Sequence, residues 1–367
     1  MKVGIITMHR PISYGSALQA YALQTKIESL GYTTEIIDYQ YPNKLHLEGT
    51  NPVRRFLGSL ISLTKHAFLF FPNIRKAIKF RNFRNRYLNL SQYYPTADHL
   101  SQKPPVYDIY MTGSDQVWNA NFTKSDASFL LGFVQEGKPR ISYGSSFAIK
   151  EIPEEYKSIY QENLSHYNEI CVRVENGIIL VKELVNKEAK LVCDPTLLLT
   201  AKEWDRVANT SKLKITQSYI LVFMLRYSFS PYPEARRIIS KIQKELGLPV
   251  IYLNGIQEDY FKKHSKVIKA GGPDDFIVLI KNASYVITDS FHGVVFSSIF
   301  ERPLSAIVKT DNSDSRVMSY LKTIGWEHCV NPYNSLDIRL NKPGAQNGIN
   351  SFREHSAKVL KEMIQKY

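Results

Sequence analysis

The chain has 367 residues, 44% of them hydrophobic and 22% charged, which is too long for one core and too apolar for a disordered polymer. Lys and Arg outnumber Asp and Glu 47 to 34, leaving +13, a balance that suits an acidic small molecule, an anionic lipid surface or nucleic acid. Three cysteines at wide spacing (Cys171, Cys193 and Cys329) give neither a disulfide framework nor a zinc pattern and read as reduced core residues.

The opening "MKVGIITMHR" has an apolar run too short for a signal peptide or anchor, and no later stretch reaches the roughly eighteen uncharged apolar residues of a membrane span. A cytoplasmic protein is expected. "KVGIIT" predicts a strand, "YGSALQAYALQTKIESLG" a helix stopped by Gly31, and "TTEIIDY" a second strand. From about 50 to 95 a basic helical insertion is expected. Between Gly49 and Ala97 there is no acidic residue, yet Arg54, Arg55, Lys65, Arg75, Lys76, Lys79, Arg81, Arg84 and Arg86 alternate with Phe56, Leu57, Leu60, Ile61, Phe68 and the run "FLFF". This stretch, 54–86, fits a helix packed on its own domain or a peripheral helix on anionic lipid; a nucleic-acid role has no supporting motif, and no nucleic-acid partner is expected.

Next come the strands "YDIYMT", "RISYGSS", "EICVRV" and "AKLVCD", with "IPEEYKSIYQENLSHY" helical between them. The polar stretch "LTAKEWDRVANTSKLKITQ" reads as a joint. Beyond it "SYILVFML", "PVIYLN", "YVITD" and "PLSAIV" alternate with the helices "PEARRIISKIQKELG", "PDDFIVLIKNA" and the segment after His292, and "NSFREHSAKVLKEMIQKY" closes the chain as a helix. Alternating strands and helices predict parallel sheets, with one α/β domain over 1–200, a second over 215–340 and a terminal helix over 351–367.

In such sheets ligands bind beyond the carboxyl ends of the strands, where helix starts attract anions. In the second half that rule selects "DSFHG": Ser290 or Asp289 as helix cap, Gly293 for close backbone approach, and His292 either as a titrating group in the crevice or as a hydrogen bonder at the helix start. Arg226, ending the strand "YILVFML", and Arg316, after the polar loop "KTDNSDS", would hold a small dianion or stay solvated; Lys309 is a weaker candidate. In the first half "GSDQVWN" offers Ser114, Asp115 as a base or a turn residue, Gln116 and Asn119 as hydrogen bonders, and Trp118 as a sugar platform or as core. Tyr14, Gly15 and Gln19 stand at the first strand–helix junction, and Gly144 and Ser145 at a later one. No G-x-G-x-x-G or Walker loop and no metal-ligand cluster occurs, so neither a nucleotide cofactor nor a metal is expected.

Together "SYGSALQAYALQ", "MTGSDQVWN", "ISYGSSF", "CDPTLLL" and "NASYVITDSFHGVVFSSIFERP" resemble the polysaccharide pyruvyl transferase family in order and spacing over residues 13–303. The first loop has Ser13 where the family often has Asn, and Arg173, Val174 and Glu175 stand where an Arg-Glu pair is common. The resemblance implies an α/β fold of two Rossmann-like domains facing a cleft, similar to the glycosyltransferase-B fold, with the acceptor on the first domain and the donor on the second. It also implies phosphoenolpyruvate as donor substrate, no cofactor, and a sugar diol in a glycan as acceptor; were that acceptor a lipid-linked oligosaccharide, the charge of 54–86 would hold the enzyme at the inner face of the membrane. His292 would then be the acid, with Arg226, Ser290, Gly293 and Arg316 around the donor. Asp115 would take the acceptor proton, and Tyr14, Gly15, Gln19, Ser114, Trp118, Asn119 and Ser145 would line the acceptor side.

Overall fold

The computed structural model describes residues 1–40, 63–225, 234–254, 265–309, 315–332 and 343–367. The chain divides into two units, Met1–Leu191 with Lys361–Tyr367, and Val192–Leu360.

The first unit runs β1 (Lys2–Ile6), α1 (Tyr14–Ser29), β2 (Thr33–Tyr39), α2 (Leu63–Tyr87), β3 (Leu90–Tyr94), α3 (Ala97–Gln102), β4 (Ile109–Thr112), α4 (Ala120–Thr123), β5 (Arg140–Ser142), α5 (Glu154–Ser165), β6 (Ile170–Val172), α6 (Glu175–Val185) and β7 (Ala189–Leu191). Its main sheet is parallel in the order β3-β2-β1-β4-β5, with β6 and β7 pairing separately. The central strand β1 has no room for a side chain at Gly4, where a Cβ would lie 2.0 Å from the Tyr107 ring. Gly31 ends α1 with φ +92, the left-handed conformation expected of a glycine stop.

The basic stretch is not an insertion. β3 lies inside it and pairs with β2, Ile36 opposite Leu90 and Tyr39 opposite Tyr94, so α2 is the crossover that two parallel strands require. Phe80 and Phe83 on α2 are buried, Phe80 against Tyr14 and Phe83 against Tyr21 and Tyr87. Ile74, Arg75, Ile78, Lys79, Arg81 and Arg86 are exposed. Arg54, Arg55, Phe56, Leu57, Leu60 and Ile61 lie outside the described residues.

The second unit runs α7 (Pro195–Leu198), α8 (Ala201–Ala208), β8 (Ile220–Phe223), α9 (Glu234–Leu246), β9 (Val250–Leu253), β10 (Ser265–Ile268), α10 (Pro273–Lys281), β11 (Tyr285–Thr288), α11 (Phe291–Ile299), β12 (Leu304–Val308), α12 (Ser315–Ile324), β13 (Val330–Pro332) and α13 (Gln346–Gln365). Its parallel sheet has the order β10-β9-β8-β11-β12-β13. The stretch 199–217, expected as a joint, instead carries α8, whose Trp204 is fully buried against Phe296 and donates from Nε1 to Thr196 O at 3.1 Å. Its amphipathic face belongs to this core, and the boundary therefore falls at Leu191. Gln346–Leu360 groups with the second unit and the last turn with the first, where Met363 meets Cys171.

Candidate active site

In each sheet the strand order reverses beside the first strand, between β1 and β4 in one unit and between β8 and β11 in the other. At such a switch point neighbouring loops part and leave a crevice at the carboxyl rim.

At the β8/β11 point three side chains tie the loops. Thr288 Oγ1 donates to Phe223 O at 2.5 Å and accepts from Ser290 N at 3.0 Å, and Asp289 Oδ1 accepts from Leu225 N at 2.6 Å. Ser290 is the N-cap of α11, its side chain accepting from Gly293 N at 3.3 Å. Helix geometry thus starts at Phe291 and sets His292 in its first turn. Gly293 has a packing reason of its own: a Cβ there would stand 2.6 Å from Thr288 Oγ1.

The side chain of His292 is 14% exposed, and its Nε2 lies 3.5 Å from Asp194 Oδ2. The distance is that of an ion pair, and Nε2 is buried without a hydrogen-bond partner. Asp194 is only 3% exposed; its Oδ1 accepts from Thr196 N at 3.0 Å and Thr196 Oγ1 at 2.6 Å, capping α7. Its Oδ2 faces the imidazole. Phe291 stands edge-on to the His292 ring at 5.2 Å and to Tyr320 at 5.8 Å, while the Tyr320 hydroxyl meets Ser298 Oγ at 2.6 Å. Burial pushes the Tyr320 hydroxyl well above the ordinary phenol range, so it stays a neutral packing group. The arrangement offers a helix start, an imidazole with Nε2 turned inward, and a carboxylate behind it, which is chemistry for proton transfer. Arg316 sits in the first turn of α12, the helix that follows β12 in the chain; Arg226 lies outside the described residues.

At the β1/β4 point the Asp115 backbone is left-handed, φ 78. Its Oδ2 accepts from Ser16 Oγ at 2.5 Å and its Oδ1 from Gln116 N at 2.8 Å. Gln19 Nε2 donates to Thr7 Oγ1 at 2.9 Å and Ser16 O at 3.0 Å, leaving its Oε1 buried without a partner. Tyr14 and Gly15 open α1 and are buried. Ser114 and Ser145 point inward: Ser114 Oγ donates to Gly144 O and Ser145 Oγ to Gly113 O, each at 2.8 Å. Asn119 caps α4, accepting from Asn121 N and donating to Gln116 Oε1.

Trp118 is corrected from platform to core. It is 0% exposed, packs on Phe147 and Tyr167, and donates from Nε1 to Phe129 O at 3.1 Å, so neither ring face is open to a sugar. The sequence reading missed Asp194, although "CDPTLLL" carries an Asp-Pro helix start. It also missed a buried group at the ends of β1 and β2. His9 Nε2 lies 2.8 Å from Asp38 Oδ1, and Arg10 donates to both oxygens of Asp38, at 2.7 and 2.6 Å.

Two parallel α/β units of this order in one chain define the glycosyltransferase-B class of fold, built from Rossmann-like halves. The fold is similar to UDP-GlcNAc 2-epimerase from Methanocaldococcus jannaschii, solved in complex with UDP-GlcNAc and UDP, at 15% identity and a TM-score of 0.53 over 99% of this chain and 100% of that one. It is also similar to UDP-N-acetylglucosamine 2-epimerase from Rickettsia bellii, at 13% identity and a TM-score of 0.50 over 100% and 96%. Likeness at that identity speaks for the fold alone. No protein of curated function matches the chain. The family model for polysaccharide pyruvyl transferase matches residues 14–308, and the chain belongs to that family.

Proposed function

We propose that the protein transfers pyruvate from phosphoenolpyruvate to two hydroxyls of a sugar in a surface polysaccharide or its precursor, giving a pyruvate ketal and phosphate. Membership of the family supports the reaction class. The observation that carries the residue assignment is the His292–Asp194 pair at the start of α11.

In this proposal the α11 start, Arg226 and Arg316 hold the donor's phosphate and carboxylate. Asp194 orients His292 through Nε2, so the proton to be delivered sits on Nδ1. That proton goes to the methylene carbon, which becomes a methyl group, and C2 becomes electrophilic. The first sugar hydroxyl adds to C2 and loses its proton to Asp115. The bond between C2 and the phosphate oxygen then breaks, phosphate leaving with the electron pair. The second hydroxyl closes the ketal and returns a proton to His292, while the proton on Asp115 leaves with phosphate. Tyr14, Gly15, Gln19 and Asn119 belong to the acceptor side; Ser114 and Ser145 shape the loop there through backbone bonds.

The same reading gives α2 a use. With a lipid-linked acceptor, its exposed Arg75, Lys79, Arg81 and Arg86 beside Ile74 and Ile78 would hold the enzyme against an anionic leaflet from the cytoplasmic side. Among the described residues no helix is long and apolar enough to cross a membrane.

Thermal unfolding with phosphoenolpyruvate and a panel of nucleotide sugars tests the donor. Saturation at about a hundred times Kd adds roughly 2.7 kcal/mol to the binding unit. A shift with phosphoenolpyruvate that is lost in Arg226→Ala is expected; a shift with a nucleotide sugar alone would turn the reading to glycosyl transfer. Turnover of His292→Gln close to the parent would remove its acid role.

A further inference from the structure

Asp115 is held through its backbone and its carboxylate together. Its backbone lies in the left-handed region at φ 78, and its carbonyl accepts from Ser146 N at 3.1 Å. The carboxylate accepts from Gln116 N through Oδ1 and from Ser16 Oγ, at 2.5 Å, through Oδ2. That length suits a hydroxyl donating to a carboxylate. A second set of bonds closes a ring around the pair: Thr7 Oγ1 donates to Ser114 O at 2.8 Å, and Gln19 Nε2 donates to Thr7 Oγ1 and to Ser16 O, at 2.9 and 3.0 Å. The loop after β4 and the first turn of α1 are thereby fixed to each other twice, once through the Ser16–Asp115 bond.

The neighbours decide where each proton points. Ser16 spends its one proton on Asp115, and among the described residues nothing donates to its oxygen, whose lone pairs are left over. Thr7 has given its proton to Ser114 O, and Met8 O and Ser16 O are carbonyls, so the Gln19 amide turns its nitrogen to all three and keeps Oε1, buried without a partner. Ser16, Gln19 and Asp115 thus have acceptors to spare and no spare proton. Such a corner takes a group that donates, a neutral hydroxyl, rather than an anion. Ser16 and Asp115 are buried but not sealed, at 5% and 8% exposed.

We infer that Ser16 is a proton relay: the reacting hydroxyl of the acceptor sugar donates to Ser16 Oγ, and Asp115 receives the proton through it. The inference rests on the proposed pyruvyl transfer and deepens its acceptor half. As the sugar oxygen bonds to C2 of the donor, its proton passes to Ser16 Oγ while the proton of Ser16 passes to Asp115 Oδ2. Ser16 ends as it began, a neutral hydroxyl, and Asp115 ends protonated. The base therefore acts from one hydroxyl away, across a bond already formed before the sugar arrives.

The test uses the purified full-length protein with phosphoenolpyruvate and, as acceptor, the envelope fraction of cells deleted for this chain; acid-released pyruvate bound to glycan is the readout. Ser16→Ala is expected to lower kcat about tenfold to a hundredfold with the phosphoenolpyruvate KM within a few-fold, and Ser16→Thr, which keeps the hydroxyl, to recover most of the rate. Asp115→Asn supplies the second comparison. A relay acting through Asp115 has little left to lose, so adding Ser16→Ala to Asp115→Asn should cost less than about threefold more. Near-parent kcat in Ser16→Ala, or losses that multiply in the double variant, overturns the relay and leaves the reaction standing. Should Ser16→Ala not fold, Ser16→Cys, a weak donor of similar shape, carries the same comparisons. A parent protein that leaves no pyruvate on the glycan sinks the reaction, and the relay with it.

Discussion

Asp194 and His292 meet where two helix starts come together: Asp194 caps α7, Ser290 caps α11, and Oδ2 of Asp194 faces the imidazole carried by α11. Asp194→Asn separates the two duties of the residue, since asparagine caps a helix as well as aspartate. Expected are a melting temperature close to the parent and a phosphoenolpyruvate KM within a few-fold, with kcat lower by about tenfold to a hundredfold; equal loss in all three would mark a structural role only. The Asp38 carboxyl carries a pH signature. Burial opposes its charge, but the bonds from His9 and Arg10 outweigh burial and hold it at about 2, below its ordinary 3.8. A depressed acid stabilises the fold above its unfolded pKa and loses that contribution as pH falls through the folded value, here from about 4 down to 2. Urea unfolding of parent and Asp38→Asn should differ by at least about 2 kcal/mol at pH 6, and much of that gap should close by pH 2.

Elements follow the same logic. The strand-to-helix turn at 288–293 was legible because an apolar run ends on polar residues and a glycine just before a second apolar run. What the glycine is for was not legible, since Thr288 fills the space where its Cβ would go. Gly293→Ala should cost about 1–3 kcal/mol in chemical unfolding, because Thr288 Oγ1 is tied to Phe223 O and cannot give way freely; a cost near zero would mean that the turn relaxes easily. Strands β3, β10 and β13 were not anticipated. Each pairs on one side only, at an edge of its sheet, and β3 and β10 are only partly buried, so no continuous apolar run marks them. The crossover α2 read as an insertion for that reason: without β3 there was nothing for it to cross to.

Across the whole molecule the +13 balance is a property of particular surfaces. The exposed face of α2, with four basic residues and two isoleucines, predicts flotation with vesicles rich in anionic lipid and none with neutral vesicles, and Arg75→Glu with Lys79→Glu should reduce it several-fold. Flotation indifferent to lipid charge would remove the membrane role. By itself the sequence determined the alternation of strands and helices, the two parallel units, the rim where helix starts gather, and His292 on that rim, because local periodicity and turn chemistry are written in neighbouring residues. Only the tertiary structure decided that Trp118 turns inward, that Asp194 stands behind His292, and that His9 and Arg10 share Asp38. Those facts are distances between residues far apart in the chain, and only the packing of the sheets and their helices sets them.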